Sequence, residues 1–335
     1  MGRPNPENKN KTLVKRIAFL SANIAGLIDN PEPLPPLQPD EVRGRTLVSL
    51  TSPGTETSLM QLVGFPFYPG YAAVFQVDEV GGKVTGISAG DKVFGSGPHQ
   101  EIQTAASNAV APLPPSLDPK IAVFARLAGV SMSTLNTTTA RPPSRVLVTG
   151  LGPIGNLAAQ IWTRCGYEVT GIDPAKPRRD LALQSGIADV RASIDEGPSL
   201  EETVTLALEC SGHEQAILDA CRCVRKRGEV VMVGRNWKQY TALTAHDLLE
   251  AVFKRYAVLR SGWEWEVPLL ASDFHDNSLM ANYAAALRWL AEGSLKVHGF
   301  AETFAPEKAR EAYAGLLDRS SPAPCAIFDW EKSAA

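Results

Sequence analysis

The chain has 335 residues, of which 44% are hydrophobic and 21% charged, a globular composition that excludes a disordered chain and suits about two domains. The formal net charge of −3 gives no electrostatic basis for binding nucleic acid or an anionic membrane. No apolar stretch approaches the length of a membrane helix. The polar residues 1–11 lack the apolar centre of a secretory signal, so we expect an extension before the first strand, in a cytoplasmic protein.

The first third of the chain is predicted to be rich in β-structure. Short apolar runs between turn residues indicate strands at residues 14–20, 45–50, 72–79, 92–94 and 100–104. Residues 31–39 contain five prolines and are predicted to form a loop, because proline lacks the N–H donor and fixes φ.

From about residue 116 the pattern changes to alternating strands and helices. An alanine-rich helix is predicted at 119–138. It is followed by strands at 145–149, 168–172, 204–209, 229–233 and 256–261, and by helices at 154–165, 178–185 and 213–225. Strands joined by helical crossovers form a parallel sheet covered on both faces. A helix at 278–292 and a strand–helix–strand tail from residue 296 to 330 complete the prediction.

A glycine motif between the strand at 145–149 and the following helix indicates a dinucleotide site. Gly150 permits a tight turn, Gly152 lets the backbone approach a pyrophosphate, and Gly155 lets the helix pack closely on the strand. Pro153 and Ile154 complete the turn. The helix N-terminus then offers free N–H groups and a partial positive charge to phosphates.

The second predicted strand ends at Asp173, where a carboxylate can accept hydrogen bonds from both ribose hydroxyls. This carboxylate would repel a 2′-phosphate, so NAD is favoured. Arg178 and Arg179 could bind that phosphate, which leaves NADP open.

Two further strands end in residues expected near the nicotinamide half of such a cofactor. Ser211 and Gly212 follow the strand at 204–209, and Gly234 follows the strand at 229–233. Ligands bind at this carboxyl edge in doubly wound sheets. We expect Cys210 to be a small buried residue rather than a nucleophile.

The order of a β-rich block, a dinucleotide domain and a return to the first block resembles the medium-chain dehydrogenase/reductase family. Residues 69–71, 90–94 and 209–212 and the glycine motif carry this resemblance. It implies an α/β fold with a GroES-like catalytic domain in two segments around a Rossmann domain, and an active site between them. The implied boundaries are 13–120 and 280–335 for the first domain and 121–279 for the second. It also implies a homodimer.

The same resemblance predicts that no zinc is bound. Zinc-dependent members carry Cys-Gly-Thr-Asp and Gly-His-Glu, and here the cysteine is replaced by Pro53, the histidine by Tyr71 and the glutamate by Ala72. Before Cys165 the chain has a single histidine, His99, and no cysteine, whereas a tetrahedral site needs three or four convergent ligands. Residues 52–56 resemble a subgroup that includes bacteriochlorophyllide dehydrogenase-like proteins, which suggests a bulky substrate.

Without zinc, a side chain must stabilise the developing alkoxide and exchange its proton. Tyr71 is the first candidate, with a packing aromatic as the alternative. Thr55 matches the family's proton-relay hydroxyl, or caps a turn. Glu56 matches an acid behind the metal site, or makes a structural hydrogen bond to the interdomain loop. His99 is an acid/base candidate, or a surface histidine.

Three further residues are candidates for substrate binding. Arg126 interrupts an apolar helix and could hold an acidic substrate group or pair with an internal carboxylate. Trp263 and Trp265 could line a substrate pocket or an interface.

The leading hypothesis is a zinc-independent oxidoreductase that transfers a hydride between NAD and a secondary alcohol or ketone, a small-molecule substrate. An NADPH-dependent reductase of quinones or activated alkenes is the alternative within enzymes. A non-catalytic dinucleotide-binding redox sensor is the alternative from another class.

Overall fold

The computed structural model describes residues 14–30 and 32–333. The strands are β1 Lys15–Ser21, β2 Ile24–Asp29, β3 Glu41–Leu50, β4 Ala72–Val80, β5 Lys92–Gly95, β6 Ile102–Ala106, β7 Val110–Pro112, β8 Arg145–Thr149, β9 Glu168–Ile172, β10 Asp189–Arg191, β11 Val204–Glu209, β12 Val224–Met232, β13 Val258–Ser261, β14 Ala301–Phe304 and β15 Cys325–Asp329. The helices are α1 Pro53–Leu62, α2 Pro119–Ala122, α3 Ala125–Thr137, α4 Pro153–Arg164, α5 Lys176–Gln184, α6 Glu214–Cys223, α7 Ala245–Arg255, α8 Leu279–Ala291 and α9 Ala309–Asp318. The predicted extension at 1–11, and Pro31 of the predicted loop, lie outside the described residues.

The chain divides into two compact units. The first comprises Met1–Leu113, Asp118–Val123 and Ala301–Ala335, and the second comprises Pro114–Leu117 and Phe124–Phe300. The predicted second segment of the first domain began at residue 280. Helix α8 falls instead in the second unit, because Tyr283 packs against Gly129 of α3 and Asn136 donates a 3.1 Å hydrogen bond to Asn282.

The first unit is built on a seven-stranded sheet. Its order is β14-β15-β3-β4-β5-β7, with β6 also paired to β3. The β14–β15 pair is parallel and the other pairs are antiparallel. A core cluster that includes Phe19, Met60, Tyr313 and Phe328 binds the hairpin β1–β2 and helices α1 and α9 to this sheet.

Helix α1 is the main difference from the predicted β-rich block. Pro53 occupies the first turn, where its fixed φ suits a helix and its missing N–H has no intrahelical partner to lose. Met60, two helical turns further on, is buried and anchors the helix in the core. The turn-like residues 52–56 are therefore the start of a helix.

The second unit contains a six-stranded parallel sheet in the order β10-β9-β8-β11-β12-β13. Adjacent side chains of a strand point to opposite faces. Accordingly, Val146 and Val148 belong to a core cluster with Trp162 of α4, whereas Leu147 belongs to a cluster with Ile217 of α6. Helices thus cover both faces, as the alternating sequence predicted.

Candidate functional site

The turn from β8 into α4 requires glycine at two of the three motif positions. Gly150 has φ +82°, a left-handed conformation, and an added Cβ would lie 2.7 Å from the Ser211 Cβ. At Gly155 an added Cβ would overlap the Gly150 carbonyl oxygen. These two glycines close the turn and set the helix directly against it.

Gly152 differs, because an added Cβ there would have no protein atom within 4 Å. It is the N-cap of the 12-residue helix α4, makes no side-chain cap bond, and is followed by Pro153 at the first helical position. Ile154 is half-buried in the same turn. The N-cap glycine therefore supplies no side-chain acceptor to the first-turn N–H groups, and this open surface fits the phosphates of a dinucleotide.

Asp173 follows β9 as predicted, but this residue is only 1% exposed and its carboxylate is already hydrogen-bonded. Oδ2 accepts from Leu151 N at 2.8 Å and lies 3.4 Å from the Arg178 guanidinium, while Oδ1 accepts from Ala175 N at 2.8 Å. Arg179 donates to the carbonyl oxygen of Asp173 at 2.9 Å. In this conformation the carboxylate therefore offers almost no surface to a ribose hydroxyl.

The end of β11 is shaped by Glu209, which the sequence analysis did not select as a site residue. Its buried carboxylate accepts from Ser211 N at 2.7 Å, from Ser211 Oγ, and from Gly212 N at 3.1 Å. Burial raises the pKa of this carboxyl, and the hydrogen bonds from Ser211 and Gly212 oppose that rise. An acidic residue at the end of an apolar strand was the available signal.

The predicted neighbours Ser211, Gly212 and Gly234 are brought together at this edge. Gly212 has φ +68°, and a Cβ at Gly234 would lie 2.6 Å from Gly212 N. Cys210 lies between Glu209 and Ser211. Burial raises the pKa of its thiol well above the usual value, so the thiol stays protonated and is not an activated nucleophile.

In the first unit, Glu56 and His99 belong to one buried network. Glu56 Oε1 accepts from Ser52 N at 2.8 Å, and Oε2 accepts from the Tyr313 hydroxyl and lies 3.2 Å from His99 Nε2. His99 Nδ1 lies 2.8 Å from Ser49 Oγ. Burial raises the pKa of Tyr313 well above its usual value, and the nearby Glu56 carboxyl contributes to the same rise.

The ring of His99 is fully buried, at 0% exposure, so the expectation of a surface histidine is wrong. Trp330 Nε1 completes the network by donating to Ser49 Oγ at 3.0 Å. Glu56 is likewise buried, and its carboxylate accepts hydrogen bonds from Ser52 and Tyr313 of its own unit rather than from an interdomain loop. Neither side chain offers surface to a ligand in this conformation.

Thr55 and Tyr71 are partly exposed, unlike Glu56 and His99. Thr55 lies in the first turn of α1, whose N-cap is Ser52. Thr55 therefore does not cap this helix. Tyr71 directly precedes β4 and follows Gly70, whose missing side chain allows the turn to touch the Pro98 backbone.

Arg126 is buried and forms a bidentate pair with Glu264, with 2.6 Å between its Nη2 and Glu264 Oε1. The alternative of an internal carboxylate is thus confirmed. Trp265 and Tyr283 place their rings 5.8 Å from the guanidinium. Trp263 and Trp265 are 58% and 63% exposed, so these indoles line open surface within their own unit.

Among residues 14–30 and 32–333, no group of three or more His, Cys, Asp or Glu side chains is arranged to hold a metal ion. Within the same ranges, no helix combines the length and apolarity needed to cross a membrane.

Comparison with known proteins supports the fold. Residues 153–267, about a third of the chain, match the family model described as zinc-binding dehydrogenase. Galactitol-1-phosphate dehydrogenase from Escherichia coli superimposes with a TM-score of 0.78 at 18% identity, covering 94% of this chain and 99% of that one. The chain has the fold of the medium-chain dehydrogenases and reductases. The predicted α/β class, with a β-rich domain and a Rossmann-like parallel sheet, is confirmed.

Two more relatives extend this likeness. The quinone oxidoreductase of Pseudomonas syringae pv. Tomato DC3000 has a TM-score of 0.75 at 21% identity and covers 95% of this chain and 100% of that one. D-guloside 3-dehydrogenase of Shigella flexneri is 31% identical over 180 residues, which are 50% of this chain and 51% of that protein. The chain therefore spans about half the length of the curated relatives it matches.

Proposed function

We propose that this protein is an oxidoreductase that uses a nicotinamide dinucleotide to interconvert a secondary alcohol and a ketone without zinc. The observation that carries the proposal is the open surface at Gly152, where a tight glycine turn meets an uncapped helix N-terminus. The dehydrogenases among the relatives support the reaction class. When bound, the nicotinamide would supply or accept the hydride.

The chain's own residues would divide the remaining tasks. The first turn of α4 would bind the phosphates through backbone N–H groups, and Asp173 would hold the ribose once Arg178 has moved. Tyr71 would donate a proton to the carbonyl oxygen during reduction and take it back during oxidation. Thr55 would relay this proton. The absence of histidine and cysteine at the family's ligand positions, Pro53 and Tyr71, supports chemistry without zinc.

A Tyr71→Phe variant tests the proposed proton donor. Its turnover should fall about 100-fold or more while NADH affinity stays the same, because only the hydroxyl is removed. NADH affinity is measured by fluorescence titration, and metal content is measured on the same protein. Unchanged turnover would remove Tyr71 from this role, and stoichiometric zinc would contradict the metal-free proposal.

An NADPH-dependent reductase of quinones or activated alkenes is a second candidate. The observation that favours it is the contact between Arg178 and Asp173, because the guanidinium offsets the carboxylate that would repel a 2′-phosphate. The ratio of the dissociation constants of NADH and NADPH decides between the two. We favour NAD, and tight NADPH binding with negligible NADH binding would select the second candidate.

We also propose a homodimer formed through the β13 edge of the parallel sheet. Strand β13 is the last of that sheet, and an edge strand presents N–H and C=O groups that can pair with another chain. Val258 on this strand is 50% exposed, and Phe253 on α7 is also exposed. The mass in solution, from light scattering after gel filtration, tests this proposal.

A further inference from the structure

The loop after β12 carries a cluster of cationic and aromatic side chains. The Arg235 guanidinium lies 3.9 Å from the centre of the Trp237 ring and 5.9 Å from that of Trp263. Lys238 Nζ lies 4.9 Å from the Tyr240 ring centre. These distances are in the range of cation–π attraction, which holds a guanidinium flat against an indole face.

The loop is fastened to the edge of the sheet where Ser211 and Gly212 lie. Asn236 Nδ2 donates to the Gly212 carbonyl at 2.9 Å, and Tyr240 N donates to the Glu214 carboxylate at 3.1 Å. The rings of His213 and Tyr240 stack with centres 5.1 Å apart. The cationic side chains are therefore carried by a loop with fixed attachments, beside the expected nicotinamide end of the site.

Arg235 and Lys238 carry positive charges on the surface of this loop. Both side chains are exposed, and neither forms an ion pair within residues 14–30 and 32–333. Arg126 and Arg178, by contrast, are paired with Glu264 and Asp173. The cation that the sequence suggested for an acidic substrate, Arg126, is thus already neutralised, whereas Arg235 is available.

We propose that the substrate carries an anionic group, a carboxylate or a phosphate, which Arg235 binds with help from Lys238. This inference rests on the proposed function and adds the substrate class. The planar guanidinium can donate two parallel hydrogen bonds to either anion. Lys238, three residues further on, adds a second positive charge, and Trp263 presents an exposed indole to the body of the substrate.

Three matched ketones test the proposal: acetophenone, 4-acetylbenzoate and 4-acetylphenyl phosphate. Each would accept a hydride from NADH on its carbonyl carbon and a proton on its oxygen, leaving NAD⁺ and the secondary alcohol. Their dissociation constants are measured by ligand-observed NMR with and without NADH, and kcat/KM is measured for each. The variants are Arg235→Gln, Lys238→Gln and the double variant. Arg225→Gln, at the other end of β12, is the control for the loss of one positive charge.

The wild-type protein should bind at least one anionic ketone about 10-fold more tightly than acetophenone, since one charge-assisted pair is worth about 1.4 kcal/mol. Arg235→Gln should reduce this ratio to about 2-fold or less, and Arg225→Gln should leave it unchanged. The ratio of the acetophenone dissociation constant to that of each anionic ketone is compared. The larger ratio shows whether the site prefers a carboxylate or a phosphate.

Equal binding of all three ketones, or a ratio that survives in the double variant, would overturn the proposal. A rise in the NADH dissociation constant in Arg235→Gln, with the ketone ratio unchanged, would also overturn it by assigning Arg235 to the cofactor. Failure of NADH to bind the wild-type protein would reject the proposed function, while the ratio measured without NADH would still report on the anion site.

Discussion

Two buried glutamates, Glu56 in the first unit and Glu209 in the second, differ in how far along the sequence their hydrogen-bond partners lie. Glu56 is held by groups far apart in the sequence, with His99 43 positions and Tyr313 257 positions away. The Glu209 carboxylate accepts hydrogen bonds from Ser211 and Gly212, which are two and three positions away. The first carboxyl ties distant segments together inside the core, and the second shapes one turn at an exposed edge.

This contrast separates residues that stabilise the fold from residues that prepare a binding surface. Removing a partner of Glu56 leaves a buried polar group without its hydrogen bond, which costs stability. Changing the turn around Glu209 or Gly150 alters the surface that a ligand meets.

Gly155→Ala should have the largest effect, because the added methyl group would overlap the Gly150 carbonyl oxygen. The turn must open or the helix must move, which we expect to cost about 3 kcal/mol of unfolding free energy. NADH affinity should fall about 100-fold or more, since the first turn of α4 is displaced. Urea unfolding and fluorescence titration measure the two effects.

Gly152→Ala is the matched control for this substitution. The added methyl group would meet no protein atom within 4 Å, so the unfolding free energy should stay within about 0.5 kcal/mol of the wild type. NADH affinity should still fall about 10-fold, because the methyl group would block close approach of a pyrophosphate. Wild-type affinity in Gly152→Ala would show that no phosphate approaches this glycine.

Tyr313→Phe breaks the Glu56 network at its most distant partner. We expect a loss of about 2 kcal/mol near pH 7, because the buried carboxyl loses a hydrogen-bond donor. Tyr256→Phe, at an exposed position, is the control and should change little. Urea unfolding of each variant measures the loss.

The stability difference between the wild type and Tyr313→Phe should depend on pH. The folded-state pKa of Tyr313 is raised above its unfolded value of about 10, so wild-type stability from this group is fully present below pH 10 and is lost as the pH rises further. The phenylalanine side chain of the variant has no proton to release. The stability difference between the two proteins should therefore narrow above pH 10, by at most about 1.4 kcal/mol per pH unit. A constant difference from pH 7 to about 10.5 would contradict the raised pKa.

The contrast also explains what the sequence could predict. The turn at Gly150, Gly152 and Gly155 depends on local backbone geometry, so its spacing indicated both the fold of the second unit and the proposed dinucleotide surface. Helix α1 was not predicted, because residues 52–56 have the sequence of a turn. The burial of Met60, which anchors the helix in the core, is visible only in the structure. The role of His99 escaped because its partners Ser49 and Glu56 meet it only in the folded chain.

Arg126 and Arg235 show that the pairing of a charged side chain also depends on tertiary structure. An arginine in an apolar helix suggested a ligand, but its partner Glu264 lies 138 positions away and could not be paired from sequence. Helix α7 was also missed, although the capping box of Thr244 and Asp247 at its start was an available signal. Tertiary pairing decides which cations remain available to a ligand.

Glu209→Gln should lower stability less than Tyr313→Phe does, and it tests the contrast between the two glutamates most directly. A glutamine oxygen can take the place of Oε1 and keep the Ser211 contacts, but its NH₂ group then faces Gly212 N, so the turn shifts locally. We expect a loss of about 1 kcal/mol in stability and a rise of about 10-fold in the NADH dissociation constant. Tyr313→Phe should show the opposite division, with the larger stability loss and NADH affinity within about 2-fold of the wild type. If Glu209→Gln instead lowered stability as much as Tyr313→Phe and left NADH binding intact, Glu209 would be a core residue, and the turn at Ser211 would not belong to the cofactor surface.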